Sequence, residues 1–191
     1  LVERDASFLP EFTPTYFELA LGRGTGSMLE YAGVPVRGKV DRIDVDASGN
    51  AVIIDYKLSA LSAGYGFSPE EELPLRIQTD IYATLVRRHF EMLGTPVHVV
   101  GSVYRSYAKN MMRGVYSRGI AWGDVEVRRD KLDALPHPDS SETYGEYLER
   151  VELAVSACMQ DLAAGNIAPN PIADGVCEYC KACSFCPKGA R

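Results

Sequence analysis

The sequence predicts an α/β fold. Three observations carry this. Residues 34–59 read as two strands joined by a turn, residues 69–93 carry an apolar stripe at helical spacing, and residues 140–164 carry a second, stronger one.

Taken in order, residues 5–22 (DASFLPEFTPTYFELALG) contain Pro10 and Pro14, which discourage an early helix. Residues 16–21 fit either a strand or one or two helical turns before Gly22. Residues 22–27 (GRGTGS) are a loop with three glycines. No Gly-Lys-Ser/Thr follows, so this is not a phosphate-binding loop.

The first strand of the central pair holds Val34, Val36, Val40, Ile43 and Val45. Residues 46–50 (DASGN) are turn formers. Residues 51–54 (AVII) form the short continuous apolar run of a strand buried on both faces. Residues 59–68 (SALSAGYGFS) make a second loop. The helix over 69–93 begins with Ser68-Pro69-Glu70-Glu71, a capping residue, a first-turn proline and acids near the positive end of the dipole. Pro74 delays its regular part to about Leu75. Leu75, Ile77, Ile81, Leu85 and His89 or Phe90 form its stripe.

Residues 96–107 alternate as a strand. Residues 113–122 and 125–127 are expected to be further strands, and 130–139 a connection. The helix over 140–164 is capped by Ser140 or Ser141 and ended by Gly165. Its apolar side includes Tyr147, Leu148, Val151, Val155, Cys158 and Leu162, which makes Cys158 a core residue. His89, His98 and His137 have no ligand-like spacing.

Charges enter the central strand pair at chosen points: Asp41 in the first strand, Asp55 and Lys57 directly after the buried run of the second. A carboxylate at the end of a buried strand costs several kcal/mol unless something pairs with it. Read alone, an Asp-x-Lys is most simply an ion pair at a sheet edge. Two carboxylates on neighbouring strands suggest more, because a hard cation such as Mg²⁺ takes one or two carboxylates and keeps water elsewhere. A lysine two residues on, and therefore on the same face as Asp55, is placed to act on an attacking water or a developing phosphorane charge.

Gly38-Lys39-Val40-Asp41-Arg42-Ile43-Asp44, a turn, and then Ile54-Asp55-Tyr56-Lys57 closely resemble motifs II and III of the PD-(D/E)xK nucleases. The pattern is nearest to the RecB/AddB-type exonuclease branch. Upstream, residues 14–22 match that branch's Pro-x-x-x-Glu-x-x-(F/L)-Gly, which makes Glu18 the motif I acid. Downstream, Gln78 and Tyr82 match its Q-x-x-x-Y on the helix after the Asp-x-Lys, and at i, i+4 they share a helix face. The resemblance implies a restriction-endonuclease-like core with a mixed central β-sheet flanked by helices. It implies Mg²⁺ or Mn²⁺ held by Glu18, Asp41, Asp55 and the Tyr56 carbonyl, Lys57 acting on water, and Gln78 and Tyr82 positioning the substrate. DNA would be the substrate, and a helicase domain or subunit the partner in double-strand break repair. No Walker motif occurs in this chain, so a motor would lie elsewhere.

Residues 169–191 hold Cys177, Cys180, Cys183 and Cys186 in C-x2-C-x2-C-x2-C. Four of five cysteines in so short a tail read as metal or cluster ligation in a reducing cytosol rather than a secreted disulfide framework. The spacing leaves zinc or iron–sulfur open. In the RecB/AddB-type branch a C-x2-C-x5-C, matched by Cys177, Cys180 and Cys186, holds a [4Fe-4S] cluster with one upstream cysteine. Cys183 is then extra. The expected organisation is a nuclease core over 1–168 and a cysteine-rich tail over 169–191 packed on it. The start at Leu1 leads us to expect a piece of a longer chain.

At 191 residues, 46% hydrophobic and 24% charged, the composition is that of a globular protein with one substantial core. No apolar run reaches the roughly 18 residues of a membrane span, and no signal peptide is visible. A net charge of −6 does not advertise nucleic-acid binding, which then depends on a local basic stripe. Competing expectations are a stand-alone CRISPR-associated iron–sulfur exonuclease, a catalytically dead nuclease-like DNA-binding module, and a zinc-binding interaction domain.

Overall fold

The computed structural model describes residues 8–22, 28–59, 61, 76–123, 128–138, 140–169, 177, 180 and 186, with 128–131 as backbone only. Most of the expected loops over 22–27 and 59–68, residues 69–75 of the expected first helix, the strand at 125–127, Cys183 and most of the tail lie outside them. The helix itself begins at Gln78, later than the expected Leu75. The chain divides into two compact units, Leu1–Ser156 and Ala157–Arg191.

The first unit is built on a six-stranded mixed sheet. Its strands are β1 (Phe12–Leu21), β4 (Gly38–Asp46), β5 (Asn50–Lys57), β6 (His98–Ser106), β7 (Met111–Ser117) and β8 (Arg128–Leu135), in that spatial order. Pairings β1–β4, β4–β5 and β6–β7 are antiparallel, and β5–β6 and β7–β8 parallel. Between β5 and β6 runs helix α1 (Gln78–Met92), the crossover that a parallel pair requires. A two-residue ladder, β2 (Glu30–Tyr31) with β3 (Val34–Pro35), stands apart as a second sheet. Val34 thus leaves the long strand expected for it. Ala32 and Gly33, both at positive φ, turn the chain back on itself, and the strand proper begins at Gly38.

Residues 16–21, open between strand and helix in sequence, are strand. Pro14 is tolerated because β1 is an edge. The β4–β5 turn is set by Asp46, whose carboxylate accepts from the backbone N–H of Ser48 and Asn50 and from the Asn50 amide. Gly49 supplies its positive φ of 83°.

Alternation along β5 divides the core. Ala51 and Ile53 face α1 and pack with Ile43, Ala83, Leu85, Val86 and Phe90. Val52 and Ile54 face the other way, with Phe8, Leu9, Phe12, Val103 and Met112. Each fully buried aliphatic side chain is worth about 1.5–3 kcal/mol. On that second face Arg42 is buried and forks onto Asp44, with Nε and Nη2 each 2.5 Å from a carboxylate oxygen. Its Nη1 donates to Tyr56 Oη at 3.0 Å, and its guanidinium lies over the Phe8 ring. Burial acts to lower the Arg42 pKa, but Asp44 outweighs it and the guanidinium is held charged. The ion pair of Arg42 is with Asp44.

Two expectations for the second half of the unit change. Residues 130–139 are not a connection, because β8 runs through them to Leu135. The Arg-Arg-Asp-Lys run masked its pattern, and an edge strand accommodates charge on its open side. The second helix, α2 (Tyr144–Ala163), starts later than expected. Its cap is Thr143, whose Oγ1 accepts from the Glu146 N–H while Glu146 accepts from the Thr143 N–H, a capping box. Within the first unit α2 buries Tyr144, Tyr147, Leu148 and Val151.

In the second unit α2 ends as expected at Gly165, φ 79°, with Asn166 N–H bonded to Asp161 O and Gly165 N–H to Leu162 O. Cys158 is exposed, against the expectation of a core cysteine. The apolar periodicity runs the length of the helix, but burial stops at Val151, and Leu162 is exposed as well. No helix among the described residues is long and apolar enough to cross a membrane.

Candidate active site

The carboxyl end of β5 gathers the residues singled out in sequence. Pairing between β4 and β5 runs to Arg42 and Ile54, and one step further Asp41 stands opposite Asp55. There the Tyr56 N–H donates to Asp41 Oδ2 at 2.8 Å, so the Asp41 side chain takes up a donor of the neighbouring strand. Asp55 is buried at the end of the apolar run. Burial pushes its carboxyl above the ordinary range, Lys57 opposes this, and Asp41 adds to it.

Lys57 Nζ lies 2.5 Å from Asp55 Oδ2. The ammonium is thus a charge-assisted partner of this buried oxygen. Lys57 Nζ also donates to Gln78 Oε1 at 3.0 Å, and Gln78 Nε2 donates to Tyr82 Oη at 3.0 Å. Asp55, Lys57, Gln78 and Tyr82 thus form one continuous polar chain from β5 to the first turns of α1. The i, i+4 spacing of Gln78 and Tyr82 puts both on the face that meets β5.

Several supporting residues were not foreseen. A Cβ at Gly38 would lie 2.8 Å from Tyr82 Cε1, so the bare backbone of β4 makes room for the tyrosine. The Lys57 ammonium sits 5.6 Å from the Tyr104 ring centroid, and Tyr104 Oη accepts from the Thr79 N–H at 3.2 Å, tying the first turn of α1 to β6. Burial pushes the Tyr104 phenol up to about 12. Ser106 Oγ donates to Ser59 O and holds the chain just after Lys57. Asp80, buried in the first turn of α1, accepts from Ser102 Oγ at 2.9 Å and Tyr147 Oη at 3.1 Å, joining α1, β6 and α2. Its signal in the sequence was its place on the stripe, three residues after Ile77 and three before Ala83.

Glu18 is placed differently. It lies on β1 between Phe17, paired with Arg42, and Leu19, paired with Val40, at the position level with Asp41 and with φ 53°. That left-handed conformation is strained for a residue with a side chain. Its carboxylate is exposed and pairs with Lys39. Among the described residues no three His, Cys, Asp or Glu side chains converge. The donor set at the strand end is therefore the pair Asp41 and Asp55. These two suit a hard divalent cation: they are carboxylates on adjacent strands, and burial raises the cost of the Asp55 charge beyond what Lys57 beside it offsets, a cost that a cation would relieve.

In the second unit Cys177, Cys180 and Cys186 are free thiols, with the Cys180 N–H bonded to Cys177 O. Thiolate donors suit zinc or an iron–sulfur cluster, and Cys183 lies outside the described residues.

A mixed six-stranded sheet carrying an acidic pair and a lysine at the end of a central strand is a restriction-endonuclease-like core. The chain belongs to the PD-(D/E)XK nuclease superfamily, whose family model matches residues 2–187. A search of curated proteins finds none that matches it. Members of this superfamily are generally nucleases that use divalent metal ions.

Proposed function

We propose that this chain is the metal-dependent DNA exonuclease domain of a RecB/AddB-type helicase–nuclease that processes double-strand breaks. The continuous Asp55–Lys57–Gln78–Tyr82 chain, with Asp41 alongside, is the observation that carries the reading. A nuclease-like module that had lost catalysis would be expected to have lost the lysine or one of the acids, and here Asp41, Asp55, Lys57, Gln78 and Tyr82 are all present.

Asp41 and Asp55 would hold Mg²⁺ or Mn²⁺, with the Tyr56 carbonyl as a further ligand and Glu18 joining them only once released from Lys39. Bound there, the ion supplies Lewis-acid polarisation of the scissile phosphate. The chain's own residues do the rest. Lys57 keeps a positive charge beside the phosphate, where negative charge grows as water attacks, and it orients that water. Gln78 fixes the ammonium through its carbonyl and is itself fixed by Tyr82, so Lys57 enters the reaction already aimed. Cys177, Cys180 and Cys186 would hold a structural [4Fe-4S] cluster in the full-length protein, stapling the tail. DNA and a helicase domain or subunit are the partners, in the cytoplasm.

The test is cleavage of end-labelled single-stranded DNA with Mg²⁺ or Mn²⁺ by this chain and by Lys57→Ala. Metal-dependent cutting that falls at least about a hundredfold in the variant is expected, the usual loss for a charge that stabilises a transition state. Equal cutting by both proteins would remove Lys57, and the reading with it.

A further inference from the structure

At the end of α1 away from Gln78 lies a groove of about 630 Å³. The last turns of α1 bring Arg88, Glu91 and Met92 to it, the segment entering the β2–β3 ladder brings Met28 and Glu30, and α2 brings Glu152. Gln78 opens the helix and Met92 closes it. At 1.5 Å per residue, that length sets the groove roughly 20 Å from Gln78.

The floor of the groove is fixed. Arg88 forks onto Glu152, with Nη1 2.9 Å from Oε1 and Nη2 2.8 Å from Oε2. Arg88 Nη1 also donates to Glu30 O at 2.6 Å, and Glu152 Oε1 accepts from the Ala32 N–H at 3.0 Å. One ion pair thereby ties α1, α2 and the hairpin together, so the groove has its shape before anything enters.

The charge left over is negative. Arg88 is the only cation in the lining among the described residues, and Glu152 neutralises it. Glu30 and Glu91 are exposed, and their carboxylates have no hydrogen-bond or ion-pair partner among the described residues. The last turn of α1 adds the negative end of the helix dipole. Beside this charge the walls are methionine: Met28 is 67% exposed and Met92 47%. Flexible, polarisable methionine at a surface adapts to the side chains of a partner.

Such a surface repels phosphate, so it lies off any nucleic-acid path, and an anionic membrane suits it no better. Apolar walls next to unpaired carboxylates fit a segment that carries apolar side chains with lysine or arginine beside them. We propose that this groove docks a basic amphipathic segment of a partner protein. Apolar side chains of the segment cover Met28 and Met92, and its cations pair with Glu30 and Glu91. Docking there is independent of the nuclease reading, since no residue of the groove is assigned to catalysis.

The probe is a short fluorescein-labelled peptide of leucine and lysine, with leucine at helical spacing. Two counterparts replace its lysines by glutamate or its leucines by serine. Fluorescence anisotropy reads binding to the full chain in EDTA at about 0.15 M salt, where distant charges are screened. The leucine–lysine peptide is expected to bind, and both counterparts at least about tenfold more weakly. Glu91→Lys should weaken the first peptide at least about tenfold, because like charges then meet. A lysine in the last helical turn suits the dipole, so this variant keeps its fold. Glu11→Lys makes the same change of net charge outside the groove and should leave the affinity within about twofold. Met92→Gln removes apolar contact and no charge, and should cost at least about fourfold, the worth of one buried methylene. Equal losses in Glu91→Lys and Glu11→Lys would show that the peptide reads net charge alone, which overturns the proposal. Unchanged affinity in Met92→Gln, or no binding by the parent, overturns it too. Sedimentation showing a dimer that Glu91→Lys dissociates would put a second copy of this chain in the groove instead. DNA cleavage by Glu91→Lys should match that of the parent, so lost docking and a failed nuclease reading are separate results.

Discussion

The backbone of Gly38 and the ring of Tyr82 occupy space that admits no third group: a Cβ at position 38 would lie 2.8 Å from Tyr82 Cε1. Gly38 opens β4 three residues before Asp41, and Tyr82 is the far end of the chain that begins at Asp55. The glycine of the G-x-V-D segment therefore sets the tyrosine that supports the lysine. Gly38→Ala should swing the Tyr82 ring off Gln78. The ring can move, so stability should change by less than about 1 kcal/mol, the usual range for a substitution away from packed core. kcat/KM for DNA should fall about tenfold, the value of one positioning hydrogen bond. Unaltered kcat/KM in a variant that folds normally would sink this link.

Asp55 is built for function at a cost in stability. Burial pushes its pKa up, and Lys57 at 2.5 Å offsets this only in part. A raised folded pKa means that the carboxyl's contribution is complete below the unfolded pKa and is lost as pH rises through the folded one, so at neutral pH the charge destabilises the fold. Asp55→Asn should then raise Tm at pH 7.5 in EDTA and abolish cutting. Mn²⁺, which binds the folded parent and raises its Tm by mass action, should no longer do so in the variant. Thermal melts with and without Mn²⁺ read all three effects. A variant that melts lower than the parent in EDTA would show that Asp55 is a structural partner of Lys57 instead.

The opposite face of β4 behaves in the reverse sense. Arg42 and Asp44 are both buried and joined by two hydrogen bonds of 2.5 Å. Removing one partner leaves the other as an uncompensated buried charge, so Asp44→Ala should cost about 3–5 kcal/mol in urea denaturation. Replacing both with apolar residues of similar volume should recover most of it. Equal losses in the single and double variants would contradict this account.

The acidic pair and the lysine were legible in sequence because a strand alternates strictly: Asp55 and Lys57 share a face by spacing alone, and the turn at 46–50 sets Asp41 against Asp55. Gln78 and Tyr82 were legible for the equivalent helical reason. What the sequence hid depends on contacts far apart in the chain. The Lys57–Gln78 bond spans the β5–α1 connection, and β8 was hidden because edge strands tolerate the charges that usually mark loops. Cys158 misled because periodicity reports which face is apolar, not how far along the helix a core extends to cover it. Glu18 matched its pattern in sequence, yet its carboxylate pairs with Lys39 across β1 and β4.

Asp80 was hidden by its type, since an aspartate beside Gln78 reads as helix surface. It is buried, and burial raises its carboxyl to about 7, with the Ser102 and Tyr147 hydroxyls pulling the other way. The groups whose charge bears on it are the phenols of Tyr31, Tyr104, Tyr144 and Tyr147, all raised by burial and by this carboxyl, so none is ionised near neutral pH. The unfolded chain releases the Asp80 proton near pH 3.8, and the folded chain holds it to about 7. The neutral acid's contribution is therefore complete below about 4 and lost progressively up to 7. About three pKa units at 1.36 kcal/mol each give a loss on the order of 4 kcal/mol. Asp80→Asn keeps the size and an acceptor for Ser102 but cannot ionise. The stability of the parent minus that of the variant, from urea denaturation at stepped pH, should fall by about this amount between pH 4 and 7 and level off above 7. A difference that stays flat across that window would mean that Asp80 is ionised throughout, and that Ser102 and Tyr147 solvate a permanent charge at the joint between α1, β6 and α2.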